Sequence, residues 1–100
     1  MIKEYKVITT DTFEEEVKNI YFKIKFYYKN PLKAKNVYNK IINSIKELNL
    51  FPEKFSKVKN LNLHRLIVNS YIIIYEVNND KNEVYILHIF IYNQNYLNLL

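Results

Sequence analysis

Residues 65–77 read RLIVNSYIIIYEV, and residues 83–92 read EVYILHIFIY. Both stretches consist mainly of Ile, Val, Leu and Tyr, side chains that favour the pleated, half-buried surface of a β-strand. Asn69 and Ser70 interrupt the first stretch with a pair that favours a tight turn, and residues 78–82 favour a longer turn before the second. We therefore predict three consecutive antiparallel strands. They cover about residues 62–69, 71–78 and 83–92.

The N-terminal part of the chain predicts one strand followed by a helix. A short strand is expected at residues 2–8, where polar and apolar residues loosely alternate. Asp11 and Thr12 each precede a glutamate by three residues, the spacing of a capping box at the start of a helix. The helix should run from there to about Lys29 with one apolar face. That face consists of Phe13, Val17, Ile20, Ile24 and Tyr27.

Asn30 and Pro31 end the first helix and begin a second, because Asn is favoured at the N-cap and proline at the first helical position. The second helix should cover about residues 31–50 and end before Pro52. Because the link between the two helices is so short, they must form an antiparallel hairpin. The apolar stripe of the second helix consists of Ala34, Val37, Tyr38, Ile41, Ile45 and Leu48.

The order β-α-α-β-β-β predicts an α+β fold. We expect the helical hairpin to pack on one face of a four-stranded antiparallel sheet. The three later strands should form a meander that the first strand joins, and residues 53–60 should form a basic loop. The sequence contains no repeat, linker or second domain, so residues 1–100 are expected to form one domain.

The composition excludes several classes of protein. The chain has no glycine, which excludes a glycine-rich phosphate loop and leaves any positive φ to Asn, Asp or Ser. It has no cysteine, which excludes thiol chemistry, disulfides and Cys-based metal sites. We expect neither a metal nor a cofactor. No apolar run is long enough to span a membrane and no signal-like segment begins the chain, so a cytoplasmic protein is expected.

The positive charge lies in the first part of the chain. Residues 1–60 contain thirteen lysines and seven acidic residues, whereas residues 61–100 are slightly acidic. A basic half favours an acidic partner, which is either a nucleic acid or an acidic protein. A solvated lysine-rich surface explains the same charge equally well.

Both faces of the predicted sheet are apolar, although two helices can cover only one of them. The uncovered face should expose an apolar patch around Arg65 and His88, and such a patch usually marks a partner site. The alternatives are that the C-terminal tail or a second copy of the chain covers it. The patch consists of Ile67, Ile72, Ile74, Ile86 and Phe90.

The order and spacing of these elements resemble the RelE/ParE family of toxins. Residues 65–77 resemble the family pattern of an arginine, a short strand, a turn and then Tyr-x-apolar-apolar-Tyr-x-Val. Residues 84–89 and the tail at 96–100 continue the resemblance, and the Leu-Phe-Pro at 50–52 ends the helical hairpin as in the family. The resemblance covers nearly the whole chain. It implies a growth-arresting toxin that is encoded beside a neutralising antitoxin.

The family implies two alternative mechanisms. ParE-like members poison DNA gyrase and need no nuclease site, whereas RelE-like members cut mRNA, usually on the ribosome. An inactive relative that retains only antitoxin binding is a third alternative. The expected partners are a cognate antitoxin docked on the apolar patch, gyrase or the ribosome with its mRNA as target, and no membrane. A homodimer or a heterotetramer with the antitoxin is also compatible with the resemblance.

The nuclease alternative assigns roles to particular residues. Cleavage by 2′-hydroxyl attack needs proton-transfer groups and cations around the phosphate. Arg65 and Tyr96 match positions that RelE-like toxins use in catalysis, and the resemblance implies the same roles for them here. His88 is a further catalytic candidate, because it lies on the open face of the predicted sheet. Lys57, Lys59 and Arg65 are the candidates for RNA binding.

Other positions that often carry basic or histidine residues in RelE-like toxins carry none here. They hold Ile72, Ile91, Asn93 and Gln94. Asn and Gln neither exchange protons nor carry charge, so this depletion favours the ParE-like mechanism. Non-catalytic alternatives also stand: a structural role for His88, and a cross-strand pair between Arg65 and Glu76. His64 is expected to pack on the core side of its strand.

Overall fold

The computed structural model of the chain describes residues 3–58 and 62–92. It confirms an α+β fold with two helices packed on a four-stranded sheet. None of the helices in these two ranges is long and apolar enough to cross a membrane. The elements are β1 (Lys6–Thr9), α1 (Asp11–Phe22), a π-helical turn (Lys23–Tyr27), α2 (Pro31–Lys46), 3-10 turns at Glu47–Asn49 and Pro52–Lys54, β2 (His64–Val68), β3 (Tyr71–Asn78) and β4 (Glu83–Ile91).

The sheet has the strand order β1-β4-β3-β2. Strands β2, β3 and β4 form the expected antiparallel meander. The prediction of a purely antiparallel sheet is wrong, because β1 joins the edge of β4 in parallel, with Lys6 opposite Glu83 and Thr9 opposite Ile86. A parallel neighbour requires a long crossover, and the helical hairpin between β1 and the meander provides it.

The first helix begins one residue earlier than the capping-box pattern predicts. Thr10, rather than Asp11 or Thr12, is the N-cap, and its hydroxyl oxygen accepts a hydrogen bond from the Phe13 amide at 3.3 Å. The same hydroxyl donates to the Ile86 carbonyl at 2.7 Å. Thr10 therefore ties the start of α1 to β4. The second cap was predicted correctly, since the Asn30 side chain accepts from the Lys33 amide at 3.1 Å.

The main core lies between the helical hairpin and the sheet. Phe13, Ile41, Leu48 and Ile73 are essentially inaccessible to solvent, and each comes from a different part of the fold. Residues at helical spacing on α1 and α2 therefore meet the alternating residues of the strands, as the sequence pattern predicts. Tyr27 and Tyr38 are exceptions. They were assigned to the apolar faces of the first and second helices, but they are 74% and 39% exposed.

A β-bulge in β4 changes which side chains face the core. Ile74 pairs with His88 and Tyr75 pairs with Ile86, so Leu87 has no partner in the ladder. One extra residue reverses the alternation of faces for everything before it on that strand. Ile86 therefore lies in the main core, although strict alternation along β4 predicts it on the opposite face with His88.

Within residues 3–58 and 62–92, four non-glycine residues take positive φ. Asn69 and Asn82 occupy turns between strands, as expected. Lys29 follows the π-helical turn and Phe51 precedes a 3-10 turn, each with φ of 52°. The expectation that only Asn, Asp or Ser would take such positions is therefore wrong. Left-handed backbone costs a residue with a Cβ roughly 1–2 kcal/mol, which the surrounding packing must offset.

A buried tyrosine joins the sheet to the link after α2. The Tyr75 hydroxyl donates to the Pro52 carbonyl at 2.5 Å, and its ring is fully buried. Burial raises the pKa of Tyr75 well above its usual value of 10, and the nearby Glu53 charge raises it further. The phenol therefore stays protonated in the folded protein at pH values where it ionises in the unfolded chain.

Replacing Tyr75 with phenylalanine tests this contact. At pH 7, Tyr75→Phe should lower the free energy of unfolding by about 1 kcal/mol, because the Pro52 carbonyl loses its donor. The Tyr75 hydroxyl makes its full contribution to the free energy of unfolding below pH 10. Above pH 10 this contribution is lost, because the tyrosine then releases its proton only in the unfolded chain. In urea denaturation, the difference in free energy of unfolding between the two proteins should fall by about 1.4 kcal/mol per pH unit above pH 10 and change sign within the first unit. A gap independent of pH would contradict the assignment.

Candidate functional site

Two rows of side chains cross the face of the sheet that points away from the helices. In the first row, Arg65 lies opposite Ile74, and Ile74 lies opposite His88. The neighbouring row is entirely apolar and consists of Ile67, Ile72 and Phe90. Adjacent strands are about 4.8 Å apart, so the backbones of Arg65 and His88 lie about 10 Å apart.

Most of this face is buried, which corrects the prediction of an open apolar patch. Ile72, Ile74 and Phe90 form a second core cluster with Val58, and Leu63 packs against it. Ile86 belongs to the main core on the opposite side of the sheet, because of the bulge in β4. Of the five residues predicted to form the patch, only Ile67 is exposed, with 48% of its surface accessible.

The cover comes from the link that precedes β2. The Val58 amide donates to the Leu63 carbonyl at 2.8 Å, and the Arg65 amide donates to the Ser56 carbonyl at 2.9 Å. Lys57 forms an antiparallel bridge with His64 between these two bonds. Residues 56–58 therefore act as a short strand on the outer edge of β2. This pairing places Val58 and Leu63 against the second face of the sheet.

His88 is held by a carboxylate from the first helix. Its Nδ1 lies 3.2 Å from Oε1 of Glu16, and the same oxygen accepts the Ile89 amide at 3.2 Å. The imidazole also stacks on the Phe90 ring, with centroids 5.2 Å apart. Strand β1 pairs with β4 only as far as Ile86, so Glu16 takes over the edge of β4 beyond that point. About a third of the His88 side chain remains accessible.

The other predicted site residues fall partly inside and partly outside the described ranges. Lys57 is exposed, and Arg65 is partly buried. Lys59 and Tyr96 lie outside the described residues. On β3, Ile74 lies directly opposite Arg65. Glu76 lies two residues further along β3, so it is only a diagonal neighbour of Arg65.

His64 is a structural residue, as expected. Its ring is buried, stacks on Tyr75 with centroids 5.3 Å apart, and has Nδ1 3.0 Å from the Phe55 carbonyl. A histidine with these contacts positions the link before β2 and has little access to a substrate.

The arrangement around His88 determines what chemistry the site can perform. A carboxylate at Nδ1 fixes the orientation of the ring and leaves Nε2 as the nitrogen for proton transfer. Arg65 could neutralise a phosphate on the same row of the sheet, but the buried Ile74 separates it from His88. Sequence reasoning missed Glu16, because an acidic residue near the N-terminus of a helix is explained equally well by the helix dipole.

Comparison with known proteins decides the family. A family model described as the ParE toxin of the type II toxin-antitoxin system, parDE, matches residues 7–96. The chain belongs to the ParE toxin family. No match to this family member was found among curated protein sequences.

Solved structures share the fold of this ParE family member at low sequence identity. The chromosomal ParDE system of P. aeruginosa aligns with a TM-score of 0.74 and 16% identity, covering 89% of this chain and 97% of that one. The archaeal RelE-RelB complex of Pyrococcus horikoshii aligns with a TM-score of 0.64 and 20% identity, covering 91% of this chain and 98% of that one. A substituted form of the free E. coli toxin RelE aligns with a TM-score of 0.64 and 13% identity, covering 96% of this chain and 92% of that one.

The contact between Glu16 and β4 predicts a measurable local effect. Glu16→Ala should lower the free energy of unfolding by about 1 kcal/mol and speed amide exchange at Ile89, because the edge amide loses its acceptor. Glu15→Ala is the matched control, since Glu15 is the preceding residue on α1 and is exposed. Equal exchange at Ile89 in the two variants, measured by NMR, would show that Glu16 does not hold this edge.

Proposed function

We propose that this protein is the toxin of a type II toxin–antitoxin pair, that it inhibits DNA gyrase, and that a cognate antitoxin neutralises it. The ParE family match carries the proposal. It extends over residues 7–96 and therefore includes both helices, strands β2 to β4 and all but the first residue of β1. RelE-type toxins share the fold, so fold alone does not choose between the two targets.

The sheet face supports a mechanism that needs no nuclease site. A metal-independent nuclease needs cations and a proton-transfer group that converge on one phosphate. Here Ile74 lies between Arg65 and His88, and it is buried in the cluster that contains Val58. Poisoning of gyrase requires only a binding surface, so this arrangement is compatible with it.

One contact favours the alternative, a ribosome-dependent mRNA endonuclease. Glu16 orients His88 as a carboxylate orients a general base in hydrolytic enzymes, and part of the imidazole remains accessible. In this alternative His88 exchanges the proton, and Arg65 and Lys57 bind phosphates. This alternative also assigns catalysis to Tyr96 and phosphate binding to Lys59, both of which lie outside the described residues.

The antitoxin is proposed to begin docking at Ile67. This residue is exposed on the same face as the buried cluster of Ile72, Ile74 and Phe90. An apolar antitoxin segment on Ile67 would reach that cluster only by displacing Val58 and Leu63. We propose that displacement as part of neutralisation, in a complex containing one or two copies of each chain.

Expression in cells tests the proposal directly. Induction of the chain alone should arrest growth, and coexpression of the neighbouring small reading frame should restore it. Arrest should come with filamentation, DNA damage and intact mRNA, and the purified chain should inhibit supercoiling by purified gyrase. Rapid mRNA cleavage at codons with unimpaired gyrase would instead establish the nuclease alternative. The absence of any arrest would identify an inactive relative.

Substitution in the sheet face separates the two mechanisms at residue level. His88→Gln and Arg65→Ala remove the proton-transfer group and the phosphate-binding cation of the nuclease alternative. If gyrase is the target, both variants should arrest growth as the wild type does, after circular dichroism has confirmed that they fold. Loss of arrest by more than about a hundredfold in plating efficiency, with folding retained, would favour cleavage of mRNA.

A further inference from the structure

The tip of the helical hairpin carries an exposed aromatic cluster that the proposed function does not use. We define the hairpin tip as the end of α1, the π-helical turn and the start of α2. Phe26, Tyr27 and Tyr28 are each more than 60% exposed, although rings of this size are usually buried. The full set of exposed apolar residues there is Phe22, Phe26, Tyr27, Tyr28 and Leu32.

The π-helical turn explains why these rings face solvent. The Tyr28 amide donates to the Lys23 carbonyl at 3.1 Å, five residues back instead of four. The wider turn ends the periodicity that keeps apolar side chains on the core side of α1. Ile24 is the last residue of that stripe to be buried, and Tyr27 faces outward. Such π-turns occur frequently at functional sites.

The rings at the tip are arranged in ordered pairs with lysines beside them. Phe22 and Phe26 are stacked with centroids 5.7 Å apart and an interplanar angle of 20°. The Lys18 ammonium lies 5.8 Å from the centroid of Phe22, and the Lys25 ammonium lies 5.2 Å from that of Phe26. These are cation–π distances. Tyr27 and Tyr28 form a separate edge-to-face pair with centroids 5.0 Å apart.

The charge around the hairpin tip is of one sign. Residues 17–46 contain eight lysines and no acidic residue, whereas the rest of the chain has a net charge of −3. Residues 17–46 therefore carry a larger positive charge than the net charge of the whole protein. Seven of the eight lysines are exposed, and Lys25 is partly so. A surface of this kind attracts a partner with a dense, regular negative charge.

We propose that the hairpin tip binds single-stranded nucleic acid. Unpaired bases stack on Phe26, Tyr27 and Tyr28, and the surrounding lysines contact the phosphates. Aromatic rings beside a positively charged surface are the combination by which proteins hold single strands without reading their sequence. An acidic protein segment would satisfy the lysines equally well. Such a segment has no flat groups of its own to stack on Phe26, Tyr27 and Tyr28, which are more than half accessible. Bases provide such groups.

Fluorescence anisotropy with a labelled twelve-nucleotide oligothymidylate tests the proposal on the full chain. The wild type should bind this strand at least tenfold more tightly than a duplex of the same length. Phe26→Ala and Tyr27→Ala should each weaken binding by roughly tenfold, the usual effect of losing one stacked base. Phe51→Ala is the matched control, because Phe51 is as exposed as Phe26 (62%) and lies outside the hairpin. It should bind as the wild type does.

The lysines are tested by the salt dependence of the same binding. The double variant Lys18→Gln and Lys25→Gln should make the slope of log affinity against log salt less negative by about 1.4, for two lost phosphate contacts. A control with the same change in net charge, Lys54→Gln and Lys81→Gln, should keep the wild-type slope.

Three outcomes would overturn the proposal. They are failure to bind the strand at low salt, equal affinity for strand and duplex, and displacement of the strand by polyglutamate as effectively as by unlabelled oligothymidylate. The last result would identify an acidic polypeptide as the partner. None of these measurements involves gyrase or growth, so their failure is distinct from failure of the proposed function.

Discussion

Burial of the central strand on both faces is the constraint on which the rest of the structure depends. Ile72, Ile73, Ile74 and Tyr75 are consecutive on β3, and none is more than 1% exposed. Each such side chain stabilises the fold by about 2–3 kcal/mol only if water is excluded from its own side of the sheet. The helical hairpin covers one side. On the other side, the link at 55–63 contributes Val58 and Leu63, and the apolar face becomes a second core.

The bulge in β4 determines how this two-sided sheet presents its functional groups. Before the bulge, Ile86 faces the helices and accepts the Thr10 hydroxyl at its carbonyl. After it, His88 and Phe90 face the opposite side, and the strand edge is free of β1 and available to Glu16. A single unpaired residue therefore separates the part of β4 that builds the core from the part that holds the candidate site.

The elements and the strand order of the meander could be predicted, because helical and strand periodicities in this chain are strong and Asn30-Pro31 is an unambiguous helix boundary. The side of the sheet on which Ile86 lies could not be predicted, because a bulge moves side chains to the opposite face without altering the composition of the strand. The exposure of Tyr27 could not be predicted either, because nothing in the residue types of 23–27 requires a π-turn. Burial of Ile72 and Ile74 depends on a basic link that resembles a solvent-exposed loop in sequence. The contact of Glu16 with His88 joins residues 72 positions apart, so only the assembled fold reveals it.

The chain covers the second face of its own sheet, and thiol labelling tests this coverage most directly. The protein has no cysteine, so Ile67→Cys and Ile74→Cys each introduce one reporter on the same face. Under native conditions the thiol at 67 should react at nearly the rate of an unfolded control. The thiol at 74 should react at least a thousandfold more slowly, limited by opening of the fold. Comparable rates at the two positions in folded protein would contradict the account.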